Sequence, residues 1–123
     1  GMLRAQALRS VRVIIDIGMH LELAIPGGQD FHPSETWTPE LGLEFIVQRS
    51  HFPEQMVTSE ITRYLGMPAQ AISYKVGERA WLEARKEAEA RRGPSFDLKD
   101  FHNRALNLGP MGLDQLKREL AKV

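Results

Sequence analysis

The sequence predicts an all-α fold of five to six helices, an irregular helical bundle with one long ordered loop. Three observations lead there: apolar residues recur at three- and four-residue steps along most of the 123 residues, clusters of proline and glycine separate those runs, and capping residues stand where the runs begin. A chain of this length buries about two thirds of its unfolded surface, so a single helical domain over residues 1–123 is the expectation.

From Leu3 to about Leu23, the residues Leu8, Val11, Ile14, Ile15, Met19 and Leu21 keep helical spacing. The same stretch admits a strand at Val11 to Ile17, which is rich in β-branched residues and bounded by Gly18. The residues alone leave both open. Between Ile25 and Thr38, Pro26, Gly27, Gly28 and Pro33 forbid a sustained helix, and Phe31 and Trp37 favour an ordered loop. Thr38, Pro39 and Glu40 are an N-cap, a proline at the first helical position and an early acid, which start a second helix running to about Arg49. Pro53 and Glu54 start a third, with Met56, Val57, Ile61 and Leu65 on one side and Gly66 at its end. Pro68 opens the longest helix, to about Arg92, whose second half carries Arg79 and Glu83, Arg85 and Glu89, and Glu87 and Arg91 four residues apart on a solvated face. Gly93 and Pro94 end it. Asp97 with Asp100 starts a helix to about Leu108, and Gly109, Pro110 and Gly112 set off a last short one.

Sixteen basic residues balance sixteen acidic ones, so no net field draws the chain to nucleic acid or to an anionic membrane, and neither is an expected partner. Without cysteine there is no disulfide and no thiolate metal site, which suits a reducing cytoplasm. The apolar run near the start is broken by Arg9, Arg12, Asp16 and His20 and fits neither a signal peptide nor a spanning segment, so the expected location is cytoplasmic. Gly1 ahead of Met2 reads as the residue left by cleavage of a purification tag.

If the first segment is a helix, Arg9, Arg12, Asp16 and His20 form one polar stripe on a rod that is otherwise apolar in its second half. The plainer reading pairs Arg12 with Asp16 and Asp16 with His20, because an unpartnered buried ion is costly. The functional reading puts the His20 imidazole in a cleft as donor to a developing oxyanion, with Asp16 holding its tautomer. A second cluster runs from Arg63 to Gly77. There Gln70, Tyr74 and Gly77 share one face of the predicted long helix, and Lys75 projects about 100° from Tyr74. Tyr64, Tyr74, Gln70 and Lys75 could together bind a peptide or a carboxylate; the plainer reading is a helix corner with packed rings. Gly77 inside a helix points to the close approach of another backbone. His20, His32, His51 and His102 lack metal-ligand spacing, so no cofactor or metal is expected on this chain's own residues. Asp16 to Gly18 is similar to the phosphate-binding turn of actin-like ATPases, but no glycine-rich loop follows.

Three blocks carry a wider resemblance: Arg-Val-Ile-Ile-Asp-Ile-Gly-Met-His at Arg12 to His20, Arg-Tyr-x-x-x-Pro-Ala-Gln-Ala-x-Ser-Tyr-Lys-Val-Gly at Arg63 to Gly77, and Phe-Asp-Leu-Lys-Asp-Phe-His at Phe96 to His102. In order and spacing they resemble the C-terminal region of the bacterial family called domain of unknown function 885, over nearly the whole chain from Leu3. Full members of that family are longer, mostly helical and similar to zinc metallopeptidases of the neurolysin and carboxypeptidase type, with a zinc-binding helix upstream of this region. The resemblance implies that Val11 to Ile17 is helical. It also implies that His20, Tyr64 and Tyr74 hold an oxyanion, and that Arg12, Gln70 and Lys75 hold the substrate backbone or its terminal carboxylate. Zinc belongs to the parent family and not to this chain, which is then an inactive fragment whose partner is a missing upstream zinc-binding half or a second copy in a homo-oligomer. The family motif usually has Gly where this chain has Ala69, and often Thr where it has Ile17. From a different class comes the alternative, a stand-alone helical protein-interaction module.

Overall fold

The computed structural model describes residues 2–123, and the reading of Gly1 lies outside them. Among the described residues six α-helices follow one another: α1 Met2–His20, α2 Pro39–Ser50, α3 Glu54–Gly66, α4 Ser73–Arg92, α5 Leu98–Asn107 and α6 Leu113–Leu120, with a 3₁₀ turn at Gly93–Ser95. Among the described residues the one β pairing is an isolated antiparallel bridge between Ala24 and Thr36. No helix among them is long and apolar enough to cross a membrane. The chain divides into two compact units, the first ending at Lys75 and the second spanning Val76–Val123.

In the first unit α1 packs against α2, and α2 against α3. Val11, Ile15 and Met19, four residues apart on one face of α1, enter one core with Ile46, Val57, Ile61 and Tyr64. Burial at that spacing overrides the β-branched composition of 11–17. Gly18 lies inside α1, where a Cβ would stand 2.5 Å from Cδ1 of Trp37, so the indole rests on the bare helix backbone. The loop that delivers Trp37 is closed by hydrogen bonds from the Ile25 amide to the Glu35 carbonyl (2.7 Å) and from the Trp37 amide to the Leu23 carbonyl (3.0 Å). Its aromatic ring pairs order it as expected: Phe31 lies 5.7 Å from Trp37 and 5.0 Å from Phe45, centroid to centroid. Thr38 caps α2, its Oγ1 accepting the Leu41 amide at 3.2 Å.

Two sequence expectations need correction in this unit. Pro68 does not open the long helix, which starts at Ser73. Ala69 takes φ +66 and donates its amide to Asp16 Oδ2 at 2.9 Å, so an acceptor from α1 overrides the local proline signal and bends the chain out of helical geometry. On α3 the buried stripe is Val57, Ile61 and Tyr64, whereas Met56 and Leu65 are exposed. Each of the latter sits one residue, about 100°, off that stripe.

The second unit is organised on Phe101 and Leu120, which are fully buried against Ala84 and Ala88, with Trp81, Phe96, Leu108 and Leu116 around them. Gly93 at φ +51 ends α4 as predicted, and Asp97 caps α5 by accepting the Asp100 amide at 2.6 Å. Of the three expected surface pairs the structure forms Arg79 Nε to Glu83 Oε1 at 2.7 Å, while Arg91 Nη2 donates to the Leu120 carbonyl at 3.3 Å. Among the described residues nothing lies within 4 Å of where a Cβ on Gly77 would stand, so the expected close approach of another backbone is not found among them.

Candidate functional site

The site grows from one face of α1. Arg12, Asp16 and His20 follow each other at four-residue steps, and the first two are buried, at 7% and 2% exposure. Facing them are Glu60, Arg63 and Tyr64 of α3, the turn around Ala69, and Tyr74 and Lys75 at the start of α4. All of these lie within the first unit. Asp16 spends Oδ2 on the Ala69 amide; its Oδ1 is buried, has no hydrogen-bond partner among the described residues, and stands 3.4 Å from His20 Nε2. His20 Nε2 lies 2.9 Å from the Tyr64 carbonyl, which can only accept, so Nε2 carries the proton and Nδ1 is the acceptor of the neutral ring. His20 therefore reaches an oxyanion only by releasing that carbonyl or by taking a second proton at Nδ1. The expected Asp16 to His20 contact is present at this longer distance.

The expected pairing of Arg12 with Asp16 is replaced by another. Arg12 Nε stands 3.8 Å from Glu60 Oε2, and the same oxygen accepts from Arg63 Nη2 at 2.7 Å and from the Tyr64 hydroxyl at 2.8 Å. One carboxylate oxygen thus serves two donors, and Arg12, the third group facing it, is left out of hydrogen-bond reach. Its guanidinium lies over the Tyr64 ring (5.5 Å) and the Tyr74 ring (5.4 Å), while Arg9 lies over Tyr74 from 5.0 Å. Arg12 Nε and Nη2 are both buried without a hydrogen-bond partner among the described residues. Such atoms are rare in native proteins and ask for a reason.

Tyr64 is fully buried, and desolvation, followed by the hydrogen bond to Glu60, pushes its phenol above the ordinary tyrosine range. It is a committed donor. Tyr74 is half exposed and stands at the Arg12 end of the stripe, whereas His20 stands at the other, about 12 Å further along the axis. Gln70 lies in the turn before α4 rather than on the helical face expected for it, and its Oε1 is buried with no partner among the described residues. Lys75 donates to Gln6 Oε1 at 2.7 Å. The structure thus gathers Arg12, His20, Tyr64 and Tyr74 along one stripe, with Lys75 tied to α1 beside them.

Glu60 is the residue that sequence reasoning missed. The signal was available in its spacing to Arg63 and Tyr64, three and four residues on, where both side chains must pass over it. A second feature also escaped: an open pocket of about 520 Å³ lined by Ile14, Ile25, Phe31, Trp37 and Phe45, with the Arg49 to Asp30 pair (2.7 Å) at its rim. His32 forms a third, exposed cluster, its two ring nitrogens at 3.0 Å from Glu35 and 3.0 Å from Glu44, and these bonds raise its pKa. Among the described residues no group of three or more His, Cys, Asp or Glu side chains could hold a metal ion.

A family model described as "Bacterial protein of unknown function (DUF885)" matches residues 1–120. No curated protein matches the chain.

Proposed function

The chain belongs to that family, and we propose that it forms one wall of the substrate cleft in a zinc-metallopeptidase-like protein whose zinc-binding part lies outside this chain. The observation that carries the reading is the line of buried polar groups on α1, in which Arg12 and Asp16 keep atoms with no hydrogen-bond partner among the described residues. Stability does not call for such a line. Unsatisfied buried ions cost kcal/mol, and a bound peptide offsets that cost. In this reading Tyr74, the most accessible of the donors, reaches the developing oxyanion and Tyr64 joins it once Glu60 is released, while His20, about 12 Å further along α1, meets the substrate at a separate point. Arg12, Gln70 and Lys75 hold the substrate backbone or its end.

Among the described residues no group of three or more His, Cys, Asp or Glu side chains gathers, and this reading leaves the zinc to the part outside this chain. What the chain's own residues offer is hydrogen bonding and charge, about 3 kcal/mol of transition-state stabilisation per donor, too little to drive hydrolysis alone. The isolated chain is therefore expected to show no peptidase or esterase turnover with or without zinc. Co-expression with a neighbouring reading frame that carries a His-Glu-x-x-His helix is expected to restore zinc-dependent turnover, lowered by His20→Ala. Zinc-dependent turnover by the chain alone that His20→Ala abolishes overturns the reading. If turnover is absent with every neighbouring frame, the stand-alone interaction module takes its place.

A further inference from the structure

We infer that the Arg12 guanidinium is the seat of a peptide's terminal carboxylate, which makes the cleft a site for chain ends rather than chain interiors. The inference rests on the proposed function in taking a peptide as the ligand. Its own support is the identity of the unpartnered atoms. Among the described residues Arg12 has no hydrogen-bond partner at Nε and Nη2, the two nitrogens whose N–H bonds leave one edge of the guanidinium side by side. That edge is the one that meets both oxygens of a carboxylate in a bidentate pair.

Nothing else among the described residues of the unit fills it. Glu60 Oε2 approaches Nε only to 3.8 Å and is bonded to Arg63 and Tyr64, and the Tyr64 and Tyr74 rings beside the guanidinium offer it π-faces rather than acceptor oxygens. Arg12 is more than nine-tenths buried, so water does not solvate the charge in place of a partner. Tyr74, whose ring lies 5.4 Å from the same guanidinium, is half exposed, so the group borders the solvent side of the stripe.

The acceptors nearby choose among anions. Asp16 Oδ1, one helical turn along α1 from Arg12 and 3.4 Å from His20 Nε2, and Gln70 Oε1, on the residue after the Ala69 amide that Asp16 holds, are also buried with no hydrogen-bond partner among the described residues. A ligand that completes the site presents a planar pair of oxygens at one end and an N–H beside it. The last residue of a peptide has both, its carboxylate and its own amide. Inorganic phosphate can also pair two oxygens with the guanidinium edge, but it carries no amide N–H beside them for the Asp16 and Gln70 oxygens.

The test is equilibrium binding by the full chain with no metal added, read from the Arg12 side-chain Nε–H signal in NMR. The probes are N-acetyl-Ala-Ala as the free acid, the same peptide as its C-terminal amide, and inorganic phosphate. The acid is expected to shift the signal saturably, with the amide and phosphate about tenfold weaker or more, the size of one lost charge-assisted pair. Measured on backbone amides, Arg12→Lys is expected to weaken the acid by about tenfold. Glu60→Gln, which removes the competing charge at the same edge, is expected to tighten it, and this variant carries the test should Arg12→Lys fail to fold. Equal binding of acid and amide, phosphate binding as tight as the acid, no saturable shift, or no gain from Glu60→Gln overturns the assignment. Absence of binding leaves the cleft-wall reading standing, whereas metal-dependent turnover by the chain alone removes that reading and leaves this one.

Discussion

Residues 2–75 and 76–123 are built from the same kind of amphipathic helix, yet the first unit buries Arg12 and Asp16 while the second keeps its pairs, such as Arg79 with Glu83 and Arg104 with Asp100, at the surface. The second arrangement is what a stable fold requires. Ala84 and Ala88 let neighbouring side chains come close, Phe101 fills the centre, and pairs within a helix solvate its outer face. The first unit adds buried charge, which seldom improves stability and is costly when partners are missing. The contrast teaches where to look for function: among side chains that the fold would be more stable without.

The largest expected effect tests the second unit. Phe101→Ala removes its fully buried centre and is expected to cost about 3–5 kcal/mol in urea denaturation; a cost below about 1 kcal/mol breaks the picture of a core anchored on one ring. The matching test in the first unit is Asp16→Ala. It leaves the Ala69 amide without its acceptor and is expected to cost about 1–3 kcal/mol, with faster hydrogen exchange at Ala69. A variant more stable than the parent sharpens the comparison differently, because it would mean that the buried charge outweighs the bond it makes.

The same contrast decides what could be read from the sequence. Thr38, Asp97 and Gly93 act within a few residues of themselves, so the cap of α2, the cap of α5 and the end of α4 were all legible. The four-residue spacing of Arg12, Asp16 and His20 was legible too, and so was the stripe. What that stripe meets was not. Glu60 reaches Arg12 from another helix, and Asp16 reaches the Ala69 amide across more than fifty residues, undoing the helix start that Pro68 signals locally. In both cases a long-range polar contact, which follows no periodic pattern, decided the geometry.

Next in size is the response to alkali. The Tyr64 phenol is held above its ordinary value by burial and then by Glu60. The folded state therefore keeps a proton that the unfolded state loses from about pH 10. Its contribution to stability is intact below that pH and falls as pH rises toward the folded value, by about 1.4 kcal/mol per unit. Denaturation midpoints measured between about pH 9 and 11 should fall more steeply for the parent than for Tyr64→Phe, which has no phenol to ionise. Parallel curves would show that Tyr64 ionises as freely folded as unfolded and that the donor facing Glu60 is not held.

The smallest effects set the two units against each other through one chemical exchange made in opposite directions. Ala69 sits at φ +66, where a Cβ is strained, and the turn it makes carries the amide that Asp16 accepts. Ala69→Gly relieves that strain but gives the unfolded chain more freedom, and the net gain is expected at about 0.5–1 kcal/mol. Gly77 sits in regular helix with open space where a Cβ would go, so Gly77→Ala is expected to stabilise by about 1 kcal/mol. Both gains come from matching the residue to backbone geometry, read in the same urea denaturation. If Gly77→Ala gains nothing while Ala69→Gly gains, the helix at Gly77 meets a neighbour that the described residues do not contain. A loss at Ala69 instead would mean that the left-handed turn is relaxed, and that Asp16 holds the amide without bending the chain to do so.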